Sequence, residues 1–141
     1  MISCSEFVPV YSEYFKFLEE EYGKQAVIDF WFEISRDFLG NMRELVSKKG
    51  FEGMKEYWMH PLTEEGARFE IEISDRKFTI EMLECPTIGM FEDEIQHIEP
   101  YRDYCEHCEY LFGTVIRDCG YDFRLEVLGF ARCSLSAAKR P

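Results

Sequence analysis

Apolar residues recur every three or four positions through the first sixty residues, and every second position through much of the second half. Between Tyr11 and Tyr22, the residues Tyr14, Phe15, Leu18 and Tyr22 stand at helical spacing. Ser12 suits the N-cap and Gly23 stops the segment. A longer helical stretch is predicted from Lys24 to Lys48. Val27, Phe30, Trp31, Ile34, Phe38, Met42, Leu45 and Val46 give it a broad apolar face. Gly40-Asn41 marks a kink or a division, and Gly50 an end. A short helix over Phe51 to Tyr57 then leads to Trp58-Met59-His60-Pro61, where proline predicts an exit.

The period changes at residue 68. Phe69, Ile71 and Ile73 alternate with Arg68, Glu70 and Glu72, and Phe78, Ile80 and Met82 repeat the alternation. Ser74-Asp75-Arg76-Lys77 reads as the turn between two antiparallel strands. Cys85-Pro86 closes the second strand, and a loop comes next. A helix is predicted from Pro100 to Cys119, with proline in its first turn and Gly120 as its C-terminal cap. A closing strand runs from Tyr121 to about Leu135 through Phe123, Leu125 and Val127, and residues 136–141 read as a frayed tail. No repeat or linker interrupts the chain. The expected fold is a single α+β domain over residues 1–141. Its mainly helical half (1–60) packs on a small antiparallel sheet with β-β-α-β order over 66–135.

Charge narrows the partners. Twenty-eight acidic residues against sixteen basic ones give a net charge of -12. That sign opposes phosphate backbones and anionic membrane surfaces, so neither nucleic acid nor membrane is an expected partner. No apolar run reaches the roughly 18 residues of a membrane span, and Met1-Ile2-Ser3-Cys4-Ser5-Glu6 lacks the order of a signal peptide. The expected setting is the cytoplasm and the expected partner a small molecule. The acidic runs Glu19-Glu20-Glu21 and Glu92-Asp93-Glu94 read as solvated faces, and Trp31, Tyr57 and Trp58 as core.

Six cysteines carry the candidate chemistry: Cys4, Cys85, Cys105, Cys108, Cys119 and Cys133. In a reducing compartment they point to metal ligation, redox chemistry or core filling rather than to disulfides. Cys105 and Cys108 have the Cys-x-x-Cys spacing at which two thiolates reach one ion. Zinc needs more ligands than two, and Cys85 at a strand end and Cys133 on the closing strand are the candidates to complete a site. His60, His97 and His107 stand in reserve. At about 100° per residue, His107 lies roughly 200° from Cys105 if the stretch is helical, so it is not expected to share that ion. Cys119 lies about 16 Å along a helix from Cys108 and reads as core. Cys4 is assigned no role.

Strand parity bears on the other two. Cys85 shares parity with Thr79, Glu81 and Leu83, and points off the apolar face unless the strand ends first. Cys133 shares parity with Phe123, Leu125 and Val127 and faces inward if the strand is unbroken, whereas a bulge at Gly129 would reverse it. Three readings of Cys105 and Cys108 stand beside metal ligation. Cys105, Cys108, Phe112, Val115 and Cys119 also have the spacing of a packed helix stripe. A redox pair is disfavoured by Glu99, Asp103, Glu106 and Glu109 around it. Nucleophilic catalysis would pair a cysteine in space with His60 or His97.

The chain resembles a known family at a set of positions. These are Gly50-Phe51-x-Gly53-Met54, a strand ending in Cys85, Tyr104-Cys105-x-x-Cys108, Gly120-Tyr121, and Arg132-Cys133 on the last strand. It is similar there to small bacterial proteins of the L-2-amino-thiazoline-4-carboxylic acid hydrolase-like family. The resemblance implies hydrolytic opening of a five-membered ring containing sulfur and nitrogen. The expected function is therefore a hydrolase of a small sulfur- and nitrogen-containing molecule. Its candidate catalytic residues are Cys105, Cys108, His60 and His97, and its candidate zinc ligands Cys85, Cys105, Cys108 and Cys133. The alternative is a non-catalytic metal- or small-ligand-binding module with a structural four-cysteine site.

Overall fold

A computed structural model describes residues 4–93 and 95–141, with the side chains of residues 4, 5 and 93 excepted. The N-terminal residues 1–3, the Cys4 thiol, and Glu94 with the Asp93 side chain in the acidic run lie outside what is described. The elements in order are α1 (Cys4–Tyr22), α2 (Lys24–Asp37), α3 (Gly40–Lys49), α4 (Phe51–Glu64), β1 (Arg68–Ile73) and β2 (Lys77–Glu84). They are followed by α5 (Pro86–Asp93), α6 (Glu106–Asp118), β3 (Tyr121–Gly129) and β4 (Arg132–Lys139). The fold is α+β, with the helices concentrated in the N-terminal half and one antiparallel sheet of order β1-β2-β4-β3.

The sheet is apolar on one face because its alternating residues stay in register across all four strands. Ile71, Ile80, Leu135 and Leu125 form one row, and Ile73, Phe78, Ala137 and Phe123 the next. A third row runs Phe69, Met82, Cys133 and Val127 at one end of the sheet. The helices cover this face, and Glu70, Glu72, Arg124 and Glu126 look outward to solvent. Two aromatic groups fill the space beneath the helices. Phe15 and Trp31 meet edge to face at 5.3 Å, while Trp58 stacks on Phe78 at 5.7 Å.

Two glycines set how closely elements approach. A Cβ on Gly53 would lie 2.2 Å from the Leu45 carbonyl oxygen, so this residue lets α3 and α4 cross backbone to backbone. A Cβ on Gly113 would lie 2.7 Å from the Phe123 ring, so α6 sits directly on β3.

Several expected boundaries move. The stretch 24–48 divides at Phe38-Leu39, just before the predicted break. The helix beginning at Phe51 passes through Pro61 and ends at Glu64, where a shorter helix with an exit at proline was expected. Buried Leu62 keeps that last turn docked, and Glu65 N–H still bonds the Pro61 carbonyl at 2.9 Å. Residues 86–93, expected as loop, form α5, with Ile88 and Phe91 buried. The helix expected from Pro100 starts at Glu106. The segment before it is tied down instead by Tyr101 N–H donating to the buried Ser12 Oγ at 2.7 Å.

The expected closing strand is two strands. The chain turns back at Phe130-Ala131, with Ala131 in the left-handed region at φ 54°. Residues 136–139, read as part of a frayed tail, complete β4, which like β2 is hydrogen-bonded on both sides. Its small side chains, Ser134, Ser136, Ala137 and Ala138, give too weak an alternation to announce a strand. Among the described residues, no helix is long and apolar enough to cross a membrane.

Candidate thiol site

Three chain ends meet at the third row of the sheet. β2 stops at Glu84, so Cys85 is released from strand parity. Its N–H donates to the Ala131 carbonyl at 2.7 Å, which fixes it beside the β3–β4 turn. The same residue's carbonyl accepts from Gly89 N–H at 2.9 Å and opens α5. Cys133, one pair in from that turn, stands opposite Met82 on one side and Val127 on the other, and packs against the core. It faces inward as parity predicts, although the strand is broken: antiparallel partners share a face, and Val127 and Cys133 are partners. Cys105 occupies the N-cap position of α6, and Cys108 lies one turn in. All four are unpaired thiols with partial exposure.

The thiols lie within one another's electrostatic field. Burial, and then the neighbouring Cys85, Cys133 and Cys105, hold the Cys108 thiol well above its ordinary range. Burial and the thiols Cys85 and Cys105 push Cys133 up to about 12, and burial with Cys85 raises Cys105. Tyr104 is raised by its own burial and by Cys108, Tyr11, Cys85 and Cys105. Two basic groups near the start of α6 are engaged in ion pairs: Lys24 Nζ holds Asp103 at 2.6 Å and Glu106 at 3.1 Å, and Arg102 bonds Glu19 and Asp103. Left as they are, Cys105, Cys108 and Cys133 are protonated and poor nucleophiles at neutral pH.

The donor set suits a soft cation, because thiols are soft ligands and these four come from the end of β2, the start of β4 and the first turn of α6. Among the described residues, no three histidine, cysteine, aspartate or glutamate side chains are already grouped so as to hold an ion. Ligation would have to draw the thiols together.

The histidines divide sharply. His60 stands on the outer face of α4 with its side chain 76% exposed, 3.6 Å from Glu64 one turn on. His97 is exposed in the loop after α5. Neither is brought to the thiols. His107 is, in the sense that its Nδ1 lies 3.7 Å from Cys108 Sγ. Its ring packs among those of Tyr104, Tyr11, Phe15, Trp31 and Phe112. Burial there pushes its pKa down to about 4. Sequence reasoning singled out neither Tyr11 nor Tyr104 as a neighbour of the site. The only available signal was Tyr104 standing next to Cys105.

Cys119 lies apart, at the other end of α6. Its sulfur is 3.5 Å from Ser47 Oγ and 3.8 Å from the Arg43 carbonyl, so it packs against α3 as expected. Cys105 borders an open groove of about 500 Å³, lined also by Arg102, Asp103, Glu106, Glu109, Leu125 and Val127.

Protein-family models, curated proteins and solved structures give no match to this chain. The site must be read from its own geometry.

Proposed function

We propose that the protein binds zinc through Cys85, Cys105, Cys108 and Cys133, and that this centre acts on a small sulfur- and nitrogen-containing molecule. The observation that carries the reading is the convergence of four thiols from the end of β2, the start of β4 and the first turn of α6. Cysteine also packs as a small hydrophobe, so the reading rests on the four thiols coming to one place from separate elements. Zinc held by three of the thiolates keeps an open position at which a bound water is acidified, whereas zinc held by all four is closed and structural.

The chain's own residues favour an open position at Cys105, the thiol that borders the groove. Asp103, Glu106 and Glu109 on the groove wall are acceptors for the donor groups of a small molecule. Their pairing with Lys24, Arg102 and Arg117 holds them in place. Exposed His60 and His97 remain candidates for a proton-transfer role only with a substrate that reaches the surface. The resemblance in the cysteine positions supports ring hydrolysis as the reaction. The net charge of -12 supports a small-molecule partner over nucleic acid, and free thiols support a reducing cytoplasmic setting.

One observation favours the alternative of a non-catalytic metal- or ligand-binding module. Apart from the cysteines, the groove offers carboxylates already committed to ion pairs and no accessible imidazole among the described residues. Metal analysis of protein purified without added zinc or chelator separates the outcomes. About one zinc per chain, lost in C105S and C108S while both stay folded by circular dichroism, is expected. Ring opening of 2-aminothiazoline-4-carboxylate by the zinc form then supports the hydrolase. Stoichiometric zinc without turnover supports the module. Absence of zinc from the wild type, even after addition of the metal, overturns the zinc centre and the hydrolase reading built on it.

A further inference from the structure

β3 ends the strand order, and its outer edge has no strand partner among the described residues. The Tyr121 carbonyl accepts from Arg140 Nη2 at 3.1 Å, and the Phe123 carbonyl from Arg117 Nη2 at 3.3 Å. Backbone groups alternate in direction along a strand, so the odd-numbered residues of β3 turn theirs to the open edge. The two arginines cover one end of that edge. At the other, regular pairing with β4 stops at the register shift between Val127 and Gly129. The open regular stretch runs from Phe123, whose carbonyl keeps a second lone pair, to Val127, with Leu125 at its centre. Arg124 and Glu126 flank that centre on the solvent face, with side chains 77% and 56% exposed. Val127, on the core face, is 54% exposed. An uncovered edge of this kind is a template for another strand.

We propose that two copies of this chain join edge to edge through β3, about a two-fold axis at Leu125, so that one antiparallel sheet runs through both. Pairing centred there sets Arg124 opposite the partner's Glu126 and Glu126 opposite the partner's Arg124, while Phe123 faces the partner's Val127. Leu125 exchanges both backbone hydrogen bonds with the partner's Leu125. The proposal is independent of the zinc reading, but it bears on the groove at Cys105. Val127 lines that groove, and the partner's Phe123 stands beside it.

Charge selects both this register and this edge. An axis one residue back, at Arg124, sets Arg124 against its own copy and Asp122 against the partner's Glu126. An axis at Phe123 brings Asp122 to the partner's Arg124, but Arg140 already holds Asp122 and the Tyr121 carbonyl. The other edge of the sheet is β1, where an axis at Glu70 or at Ile71 sets glutamates opposite one another. Like charges directly opposite are destabilising, so β1 repels its copy where β3 matches it. On the solvent face, the residues of β4 beside Arg124 and Glu126 are Ser136 and Ser134, which leave the four charges room to meet.

Sedimentation velocity from about 1 to about 100 μM chain, at about 0.15 M salt, reads the association. The wild type is expected at twice the chain mass at the highest concentration, dissociating on dilution. R124E and E126R each place like charges opposite one another twice, and each should weaken the dimer at least about tenfold. The double variant R124E/E126R restores both pairs and should return to within about threefold of the wild type. These side chains are on the exposed face, so circular dichroism should show all three variants folded. Amide exchange at Leu125 and Val127 should slow with concentration in the wild type and not in R124E. A wild type that stays monomeric at the highest concentration would overturn the proposal. So would a dimer indifferent to R124E and E126R, which places the contact on another face, or one that the double variant fails to restore.

Discussion

Replacing Gly53 by alanine tests whether the α3–α4 crossing is as close as its backbone indicates. The added Cβ would lie 2.2 Å from Leu45 O, 2.6 Å from Leu45 C and 3.1 Å from Val46 N. These are backbone atoms of a regular helix and cannot rotate away. Restoring an ordinary separation near 3.4 Å requires the helices to part by about 1.2 Å at that point. The seam is formed by Met42, Val46, Phe51, Met54 and Trp58, all buried. A gap of 0.5–1 Å already forfeits a quarter to a half of a dispersion contact, each worth about 0.1–0.2 kcal/mol. With about ten contacts per side chain across the seam, the loss is about 3 kcal/mol, at the upper end of overpacking costs. Alanine's better helix propensity returns about 0.5–1 kcal/mol. A net loss of about 2–2.5 kcal/mol should appear in urea unfolding followed by circular dichroism. At a slope of about 2 kcal/mol per molar, it lowers the midpoint by about 1–1.25 M. G40A is the control, since a Cβ there meets nothing within 4 Å, and it should be neutral or slightly stabilised. A G53A midpoint within 0.25 M of wild type would refute the close crossing.

Other substitutions reach the site. S12A leaves the Tyr101 N–H without its acceptor and should cost about 1–3 kcal/mol in urea unfolding. It should also raise hydrogen exchange at Tyr101 and in the residues leading to Cys105, and unchanged exchange there would argue against a tie. G113A presses α6 against Phe123 and Arg117, which can shift, so about 1 kcal/mol is expected in the same unfolding assay. Because α6 carries Cys105 and Cys108, G113A should weaken zinc retention in a chelator competition by about tenfold or more. Full retention would uncouple helix seating from the thiols. C119S should keep its zinc, since that sulfur contacts Ser47 and Arg43 instead of the cluster. Loss of metal in C119S would show that the ligand set has been misassigned.

Much of the fold was legible because its helices and the first hairpin bury one clear face each. Phe69, Ile71 and Ile73 against Phe78, Ile80 and Met82 leave little room for another register. What escaped detection was governed by tertiary contact. β4 is built from serine and alanine under packed helices, so its alternation is nearly silent. Pro61 sits within α4 because Leu62, one residue on, is anchored in the core. The thiol positions were partly legible. Cys-x-x-Cys announces itself, and Cys133 came from parity, but Cys85 depended on where β2 ends. The aromatic wall around His107 comes from α1, α2, α6 and the turn before α6, and no local spacing joins Tyr11 and Trp31 to His107.

The strand order has a bearing on biosynthesis. β4 inserts between β2 and β3, so Ser134 meets Glu81 from fifty-three residues downstream. While the chain is being made, β1 and β2 form a hairpin with an open edge, and the sheet cannot knit until β4 has cleared the ribosome. Cys133 arrives with that strand. An ion held by all four thiols could therefore be captured only after β4 has emerged, and the step that completes the sheet would also complete the site. The exposed edge of β2 is the hazard of that schedule, because an unpaired strand invites pairing with another nascent chain.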